Sequence, residues 1–578
     1  MTTKRSVTET SNELTTGLDL SSPMEMGRLF RQTDSQIFSG YLGYAGMTDD
    51  CIVRTLCDLA RRCARTLKSP RGCVVMSGAG TSGRLSMFVA RGCNRVLSDV
   101  SPNDSAKFRY LMAGGNAALI QAFEGAEDDA ALGLKELREI TAGADDVFYV
   151  GITCGMSAPY VGGQLEGVVN GTVPGHAVLM AFNPTELARR LKVDGWDKTF
   201  ADVVDLLKKS DNATILNPIL GPEPVTGSTR MKSGTGTRIL LEAMFRPALA
   251  LSRGEITEDG LYAAVSKVLL SYRDAIADFY YCPEKIGRLI ELGGNALRLG
   301  GRILYLGPAG VNAAGQADAS VSDGGIIALV DASECPPTYG ASFDDVRGFI
   351  WGGWKAMFPY GGEDFSHLGV HYRISLDNFV ADMLPTLSAN DLCVFLGEFA
   401  ERDTLLHQVR QKSASTVLVQ WGDCPHSSET ADLSMELSAR ETALCGGGLI
   451  EIQLKLLANA LTTGAHVLKG KVYGNRMIDL RISNNKLFHR TVGIVTDLMK
   501  VDEASATEAV LHSIFETDTL TDDLRATPIV ELIERAKSVD KVVPKALLIA
   551  SGKFDYQGAC KALAENPMVR TVLASVSQ

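Results

Sequence analysis

The stretch Ser77–Arg84, with the sequence SGAGTSGR, is the part of the chain best suited to bind an anion. It follows the apolar run 73–76 and opens the amphipathic stretch 85–97, an order that predicts a strand, a glycine turn and a helix. Such a turn aims backbone N–H groups and the positive end of a helix dipole at one point, and its hydroxyls add donors that suit a phosphate. The candidate binding residues of this turn are Ala79, Gly80, Thr81 and Ser82.

Two other interpretations of this turn fit its letters. The pattern G-x-G-x-x-G is also the dinucleotide fingerprint, which requires an acidic residue about 20 positions further on, and Asp99 comes too early. The P-loop pattern fails because Arg84 and Leu85 stand where its lysine and its magnesium-binding hydroxyl belong. Three interpretations of the turn therefore stay open, namely a phosphosugar site, a dinucleotide site and a purely structural glycine turn.

Two later turns resemble the first one. ITCGMSAPY follows the apolar run 147–151 and leads into a helix start marked by a proline, and GPEPVTGSTRMK also leads into a helix. Their candidate residues are Thr153, Cys154, Gly155, Ser157, Ser228, Thr229 and Arg230. Since the carboxyl ends of parallel strands share one edge, we expect these turns to meet there, and three of them together favour a phosphorylated small molecule.

The acidic segment AFEGAEDD lies between the first two turns. Its Glu124 and Glu127 are three residues apart and share one face of a helical turn. On residue type alone an acidic helix start exposed to solvent is the preferred interpretation, because the helix dipole favours it. Both interpretations stay open.

Composition limits the class of protein. The chain has 578 residues, 45% of them hydrophobic and 22% charged, which predicts about three or four folded units of a soluble protein. The net charge of −11 argues against a nucleic-acid partner. The twelve cysteines show neither zinc nor disulfide spacing, and no apolar run is long enough for a membrane span. We expect a cytoplasmic protein without metal, cofactor or membrane partner.

Apolar runs alternate with helical patterns, which predicts an α/β fold with parallel sheets flanked by helices. The motifs repeat in order, GCVVMSGAG as GRILYLGPAG and EGAEDD as YGGEDF, so we expect two similar units arranged as a pseudo-dimer, followed by a helical cap. The expected boundaries are 1–22 for a disordered N-terminus, 23–61 for N-terminal helices, 62–256 for the first unit, 257–289 for a helical connection, 290–484 for the second unit and 485–578 for the cap.

Several long motifs resemble a known family. GAGTSGRL, EGAEDD, GPEPVTGSTRMKSGT, DASECPPTYG and LTTGAHVLKGKVYGNRMIDLRISNNKL are similar to the sugar-isomerase (SIS) domains of N-acetylmuramic acid 6-phosphate etherases and of glucokinase regulatory proteins. The resemblance implies two tandem SIS domains with fructose 6-phosphate or fructose 1-phosphate in the first. The ligand contacts it implies are Thr81, Ser82, Glu127, Thr153, Ser157, Thr229, Arg230 and, reaching back from the segment SNNKLF, Lys486.

Departures from the etherase pattern separate two functional hypotheses. An etherase resembling this chain uses two glutamates as base and acid; Glu127 matches the base, but Gly92 stands at the acid position. The second unit keeps Glu334 and Glu363 and has lost the phosphate turn. We therefore expect a sugar-phosphate-binding regulator without catalytic residues, located in the cytoplasm and, by resemblance, the nucleus, that controls a glucokinase or hexokinase. The alternative is a lyase that releases lactate from N-acetylmuramic acid 6-phosphate, with Glu127 and Glu334 acting together.

Overall fold

The computed structural model describes residues 6–98, 107–120, 123, 125–193, 195–308, 346–358, 363–421, 430–438, 444–480, 482 and 485–576. Asp99, Glu124 and Glu334 lie outside these residues. Of Lys486 only the backbone, within a helix, is described.

The first sheet consists of five parallel strands in the order β2-β1-β3-β4-β5. The strands are β1 Gly72–Gly78, β2 Phe108–Met112, β3 Asp146–Ile152, β4 Gly175–Met180 and β5 Ala213–Leu216. The two central strands, β1 and β3, are buried along almost their whole length, because helices cover both faces of the sheet. The apolar runs that predicted these strands are therefore their core residues.

The described residues of the first half of the chain form seven α-helices. They are α1 Pro23–Ser39, α2 Asp50–Lys68, α3 Thr81–Ser98, α4 Ala130–Ile140, α5 Pro159–Val169, α6 Phe200–Leu207 and α7 Lys232–Ser252. Of these, α3 follows β1, α5 follows β3 and α7 follows β5 after a long loop. Each of these helices thus begins at the edge of the sheet where the strands end.

The second sheet repeats the topology of the first one. Its strands are β6 Ile303–Gly307, β7 Val346–Ile350, β8 Leu392–Leu396, β9 Ser415–Trp421 and β10 Leu433–Leu437. They are parallel and lie in the order β7-β6-β8-β9-β10, which is the order of the first sheet with each strand replaced by its counterpart. This confirms the prediction of two tandem α/β units of one fold.

The helices of the second half complete this repeat. They are α8 Leu261–Phe279, α9 Pro283–Arg298, α10 Gly353–Met357, α11 Leu376–Asn378, α12 Arg402–Gln411 and α13 Gly448–Leu468. Helix α13 corresponds to α7, since both follow the last strand of their sheet, and the two pack against each other. Between them the buried Arg238 of α7 forms ion pairs with Glu451 of α13 and with Glu242 of its own helix. This buried ion pair links the two units, and the loss of either partner would be costly because it would leave an unpaired buried charge.

A helical domain forms the C-terminal part of the chain, as predicted. A short hairpin, β11 Val472–Tyr473 and β12 Arg476–Met477, leads into it. Its helices are α14 Asn485–Met499, α15 Glu503–Phe515, α16 Asp522–Arg525, α17 Ile529–Ala536, α18 Val542–Ala550, α19 Tyr556–Glu565 and α20 Val569–Ser575. They enclose a hydrophobic core of their own. No helix in the described ranges is long and apolar enough to span a bilayer.

The N-terminal segment differs from the expectation of disorder. Residues 6–22 contain the short 3₁₀ turns Val7–Glu9, Glu13–Thr15 and Leu18–Leu20, and the side chains of Asn12, Thr15 and Leu18 are buried. The prediction of disorder was wrong for these residues because hydrogen bonds from Asn12 and Thr15 to distant parts of the chain, together with the burial of Leu18 in the core, hold them in place. The expected boundaries at 61/62 and 289/290 fall inside α2 and α9.

Candidate functional site

The topology of the first sheet brings the three predicted turns to one edge. The chain runs from β1 to β2 on one side and then crosses back to β3 on the other side of β1. The loops after β1 and β3 therefore flank a topological switch point, where ligands of open α/β sheets bind. The loop that follows β5 and leads into α7 lies at the same edge, because all five strands are parallel.

The turn after β1 is tightly built. Gly80 has a φ of +53°, which favours glycine, and a Cβ added to Gly78 would lie 2.6 Å from the Cβ of Ser82. Ser82 N–H donates to the carbonyl oxygen of Ala79 at 3.2 Å and starts the helix. Thr81 and Ser82, which carry the two hydroxyls of this turn, are half-buried.

Arg84 does not act as a P-loop lysine would, because its charge is not directed at the ligand side of the turn. Its side chain is buried, and its guanidinium donates to the carbonyl oxygens of Leu119 at 2.8 Å and of Ala118 at 2.9 Å. These bonds direct the charge into the segment after β2, so Arg84 stabilises the fold beside the turn.

The turn after β3 combines a structural hydroxyl with an accessible one. The Thr153 hydroxyl oxygen accepts from the backbone N–H groups of Ser157 at 3.2 Å and Ala158 at 3.4 Å, and it thereby closes the turn just before α5. The Ser157 hydroxyl is half-buried and has no hydrogen-bond partner within the described part of the chain. Of the two, Ser157 is the better ligand donor, and Thr153 shapes the turn.

Cys154, in the turn after β3, contacts the turn after β1. Its Sγ lies 3.9 Å from the Oγ of Ser82, and the hydroxyls of Ser233 and Thr237 at the start of α7 also act on its pKa. Burial raises the pKa of the Cys154 thiol to about 11, which outweighs the lowering by these hydroxyls. The thiol is therefore neutral at physiological pH and serves as a packing and hydrogen-bonding group between the loops.

The start of α7 already holds an internal anion. The carboxylate of Glu223, which is fully buried, accepts from the backbone N–H groups of Lys232 at 2.8 Å and Ser233 at 2.9 Å and from the Ser233 hydroxyl at 2.6 Å. Burial raises its pKa, against the lowering effect of Ser233 and Lys232. A ligand phosphate therefore has no place at this helix start, contrary to the simplest form of the sequence prediction. No periodic pattern marks Glu223, which lies in the proline-flanked segment GPEP.

In the loop before α7, the side-chain hydroxyls of Ser228 and Thr229, rather than backbone N–H groups, are the available hydrogen-bond donors. The backbone N–H groups of Ser228 and Thr229 donate to carbonyl oxygens within the loop, at 2.9 Å to Val225 and 3.1 Å to Gly227. Their half-buried hydroxyls make no hydrogen bond to any other residue that the structure describes. The Cγ2 of Thr81 lies 3.2 Å from the position of a Cβ added to Gly234, so the first turn and the beginning of α7 are in contact.

Helix α13 of the second unit forms hydrogen bonds with this loop. Lys455 of α13 donates through its Nζ to the carbonyl oxygen of Arg230 at 2.7 Å. The guanidinium of Arg230 in turn contacts the hydroxyls of Thr462 at 3.5 Å and Thr463 at 3.2 Å. The loop is thus positioned by the helix that corresponds to α7 in the other unit.

The residues that match or replace the glutamates of the etherase lie at separate places in the structure. Glu127 is exposed in the 3₁₀ turn Ala126–Asp128, which packs against α5. Gly92 is buried within α3 and offers no acid. Glu363 has a largely exposed side chain and lies 4.0 Å from the imidazole of His367. The described residues hold no cluster of three His, Cys, Asp or Glu side chains suited to a metal ion.

Three family models match the chain. The N-terminal SIS domain of glucokinase regulatory protein matches residues 58–169, its second SIS domain matches 284–430 and its C-terminal lid domain matches 474–573. The two α/β units are therefore SIS domains, and the helical cap corresponds to the lid.

Similarity to individual proteins extends over nearly the whole chain. The glucokinase regulatory protein of Homo sapiens is 32% identical over 607 residues, which covers 99% of this chain and 93% of that protein. The Xenopus laevis protein is 31% identical and covers 98% of this chain and 93% of its own length. The N-acetylmuramic acid 6-phosphate etherase of Clostridium botulinum (strain Loch Maree / Type A3) is 33% identical, but over only 36% of this chain and 65% of the etherase. This chain belongs to the glucokinase regulatory protein family.

Proposed function

We propose that this protein binds a phosphorylated hexose at the edge of its first sheet and thereby regulates a glucokinase-type enzyme. The observation that carries the proposal is the contact between the three hydroxyl-bearing loops, since Cys154 lies against Ser82 and the first turn contacts the start of α7. Ser82, Ser157 and Thr229 offer donors from these loops. Hydroxyl and backbone donors in a half-buried crevice suit a phosphate, which has several acceptor oxygens. The name of the relatives, glucokinase regulatory protein, supplies the partner.

The ligand contacts we propose include the sequence-predicted residues. The phosphate binds the loop after β1 and the hydroxyl of Ser157, while Thr229 and Arg230 contact the sugar. The other residues of the proposed site are Ala79, Gly80, Thr81, Glu124, Glu127, Thr153, Cys154, Gly155, Ser228 and Lys486. Lys486 would add a long cation from the first turn of α14, which suits a phosphate or sugar oxygen.

Regulation requires two states with different affinities for the ligand. A ligand that contacts loops of the first SIS domain, which are held by α13 of the second, can favour one arrangement of the two domains over another. By linkage, a partner that prefers the same arrangement is bound more tightly in the presence of the ligand, and one that prefers the other arrangement is released.

The lyase remains the second candidate function, because part of the chain is similar to an etherase. Cleavage of the ether bond requires a base and an acid, each typically worth about 10² to 10⁴ in rate. Gly92 cannot supply the acid, so the first domain contains at most one of the two groups. This favours the regulator over the lyase.

The test measures glucokinase velocity with the purified chain present. We expect the chain to reduce the velocity, and we expect fructose 6-phosphate and fructose 1-phosphate, but not fructose, to change the degree of inhibition. A velocity that is unaffected at every ligand concentration would contradict glucokinase regulation. Lactate release from N-acetylmuramic acid 6-phosphate, measured with the same preparation, would instead support the lyase.

A further inference from the structure

Asn475 lies in the hairpin at the start of the lid domain, and its side chain forms four hydrogen bonds. It is 2% exposed, and its Nδ2 donates to the carbonyl oxygen of Asn12 at 2.8 Å and to the Thr15 hydroxyl at 2.9 Å. Its Oδ1 accepts from the hydroxyls of Ser11 at 2.7 Å and Thr226 at 3.2 Å. Its backbone carbonyl oxygen accepts from the N–H of Thr226 at 2.8 Å.

The partners of Asn475 lead directly to the proposed phosphosugar site. Thr226 is followed by Gly227 in the loop before α7, and a Cβ added to Gly227 would lie 3.0 Å from a carboxylate oxygen of Glu9. A Cβ added to Gly155, in the turn after β3, would lie 3.3 Å from the hydroxyl of Thr8. The N-terminal segment, residues 6–19, therefore lies against two of the three loops that form the site.

The other end of the N-terminal segment is fastened to the lid. The N–H of Asp19 donates to the carbonyl oxygen of Gly474 at 3.3 Å. Arg570 of the last helix donates to the Asp19 carboxylate at 2.7 Å and to the carbonyl oxygen of Thr16 at 3.0 Å. One short segment thus connects the sugar-phosphate loops, the lid hairpin and the C-terminal helix.

We propose that Asn475 is a positioning residue that couples occupation of the phosphosugar site to the attachment of the N-terminal segment and the lid. All donors and acceptors of its side-chain amide are used, and a buried polar group that loses a partner is costly. A ligand that shifts the loop at Thr226 must therefore carry Asn475 and the N-terminal segment with it. This inference rests on the proposed function and adds the route by which the ligand acts on the lid.

The test combines calorimetric affinity for fructose 6-phosphate with amide hydrogen exchange on the full chain. The variants are Asn475→Ala, the milder Ser11→Ala and the control Asn566→Ala, whose side chain only accepts from the N–H of Met568 within the lid. In the wild-type chain we expect the ligand to slow exchange at residues 79–84 and 153–158 and also at 12–20 and 472–478. In Asn475→Ala we expect affinity about tenfold lower and no ligand protection at 12–20 and 472–478.

The outcomes separate this inference from the proposed function. Wild-type affinity and full long-range protection in Asn475→Ala would overturn the inference while the proposed function stands. If Asn475→Ala does not fold, Ser11→Ala decides in the same way, because it removes one hydroxyl from a half-buried residue. Long-range protection lost in Asn566→Ala as well would also overturn the inference. A wild-type chain that binds neither fructose phosphate would overturn the proposed function and this inference with it.

Discussion

The Nζ of Lys455 donates a hydrogen bond of 2.7 Å to the carbonyl oxygen of Arg230, although the two residues belong to different SIS domains. Lys455 is 1% exposed, and its Nζ also lies 3.4 Å from the carbonyl oxygen of Met231. A buried ammonium that binds backbone carbonyls fixes the loop that carries Thr229. The second SIS domain therefore positions a loop of the proposed site, even though its own glycine turn lacks the hydroxyls.

We expect Lys455→Met to weaken fructose 6-phosphate binding about tenfold, because a hydrogen bond to a charged group contributes roughly 1.5 to 3 kcal/mol. Isothermal titration calorimetry measures the change. Lys545→Met is the matched control, since Lys545 is a buried lysine of the lid that stacks on Tyr556. Equal affinities of Lys455→Met and the wild-type chain would show that the loop keeps its geometry without this contact.

Glu223→Gln should destabilise the fold by about 1 to 3 kcal/mol, because the amide cannot replace the carboxylate as acceptor from three donors at the start of α7. Urea denaturation followed by circular dichroism measures the free energy of unfolding. Glu258→Gln is the control: Glu258 pairs at the surface with Arg61, and its loss should cost less than about 1 kcal/mol. A loss no larger than that of the control would mean that Glu223 is not the internal anion of this helix.

Cys154 should resist alkylation by iodoacetamide at pH 8, because its thiol is buried and its pKa is raised to about 11. Cys51 is exposed on α2 and should react under the same conditions. Peptide mapping by mass spectrometry distinguishes the two residues. Modification of Cys154 as fast as Cys51 in the folded protein would contradict the packed arrangement of the three loops.

Asp34 makes stability depend on pH. Burial raises its pKa from 3.8 to about 6, despite the hydrogen bond that Tyr280 donates to it at 2.7 Å. The fold therefore favours the protonated carboxyl, and this contribution to stability is present below about pH 4 and is lost as pH rises through 6. The unfolding free energy of Asp34→Asn should exceed that of the wild-type chain by an amount that grows by up to about 3 kcal/mol between pH 4 and pH 7.

Urea denaturation at pH 4 and pH 7 checks the Asp34 prediction. Asp278→Asn provides the control, because Asp278 is an exposed aspartate two residues before Tyr280. A difference between Asp34→Asn and the wild-type chain that stays constant with pH would show that Asp34 titrates normally in the folded protein.

The fold was predictable from the sequence where apolar burial determines it. The runs that became β1, β3, β4 and β6 are continuous and apolar because both faces of a parallel sheet are covered. The repeated motifs likewise predicted that the second sheet would copy the first one. The turns after β1 and β3 were found because glycine and hydroxyl residues at a helix start have a local signature.

Features that depend on distant hydrogen bonds were missed. Asn12 and Thr15 lie in a polar segment whose order depends on Pro222, Pro224 and Asn475, more than 200 residues away. Polar residues in a chain terminus predict disorder unless the partners are known. The carboxylate of Glu223 was missed for the same reason, because its role appears only when the loop folds back onto α7.

The most direct test of the account is a calorimetric titration of the purified chain with fructose 6-phosphate and, in parallel, with fructose. We expect measurable binding of the phosphorylated sugar alone, and about tenfold weaker binding by Ser82→Ala, which removes one hydroxyl donor from the turn after β1. Equal binding of fructose and its phosphate, or wild-type affinity in Ser82→Ala, would contradict a phosphate site formed by these loops.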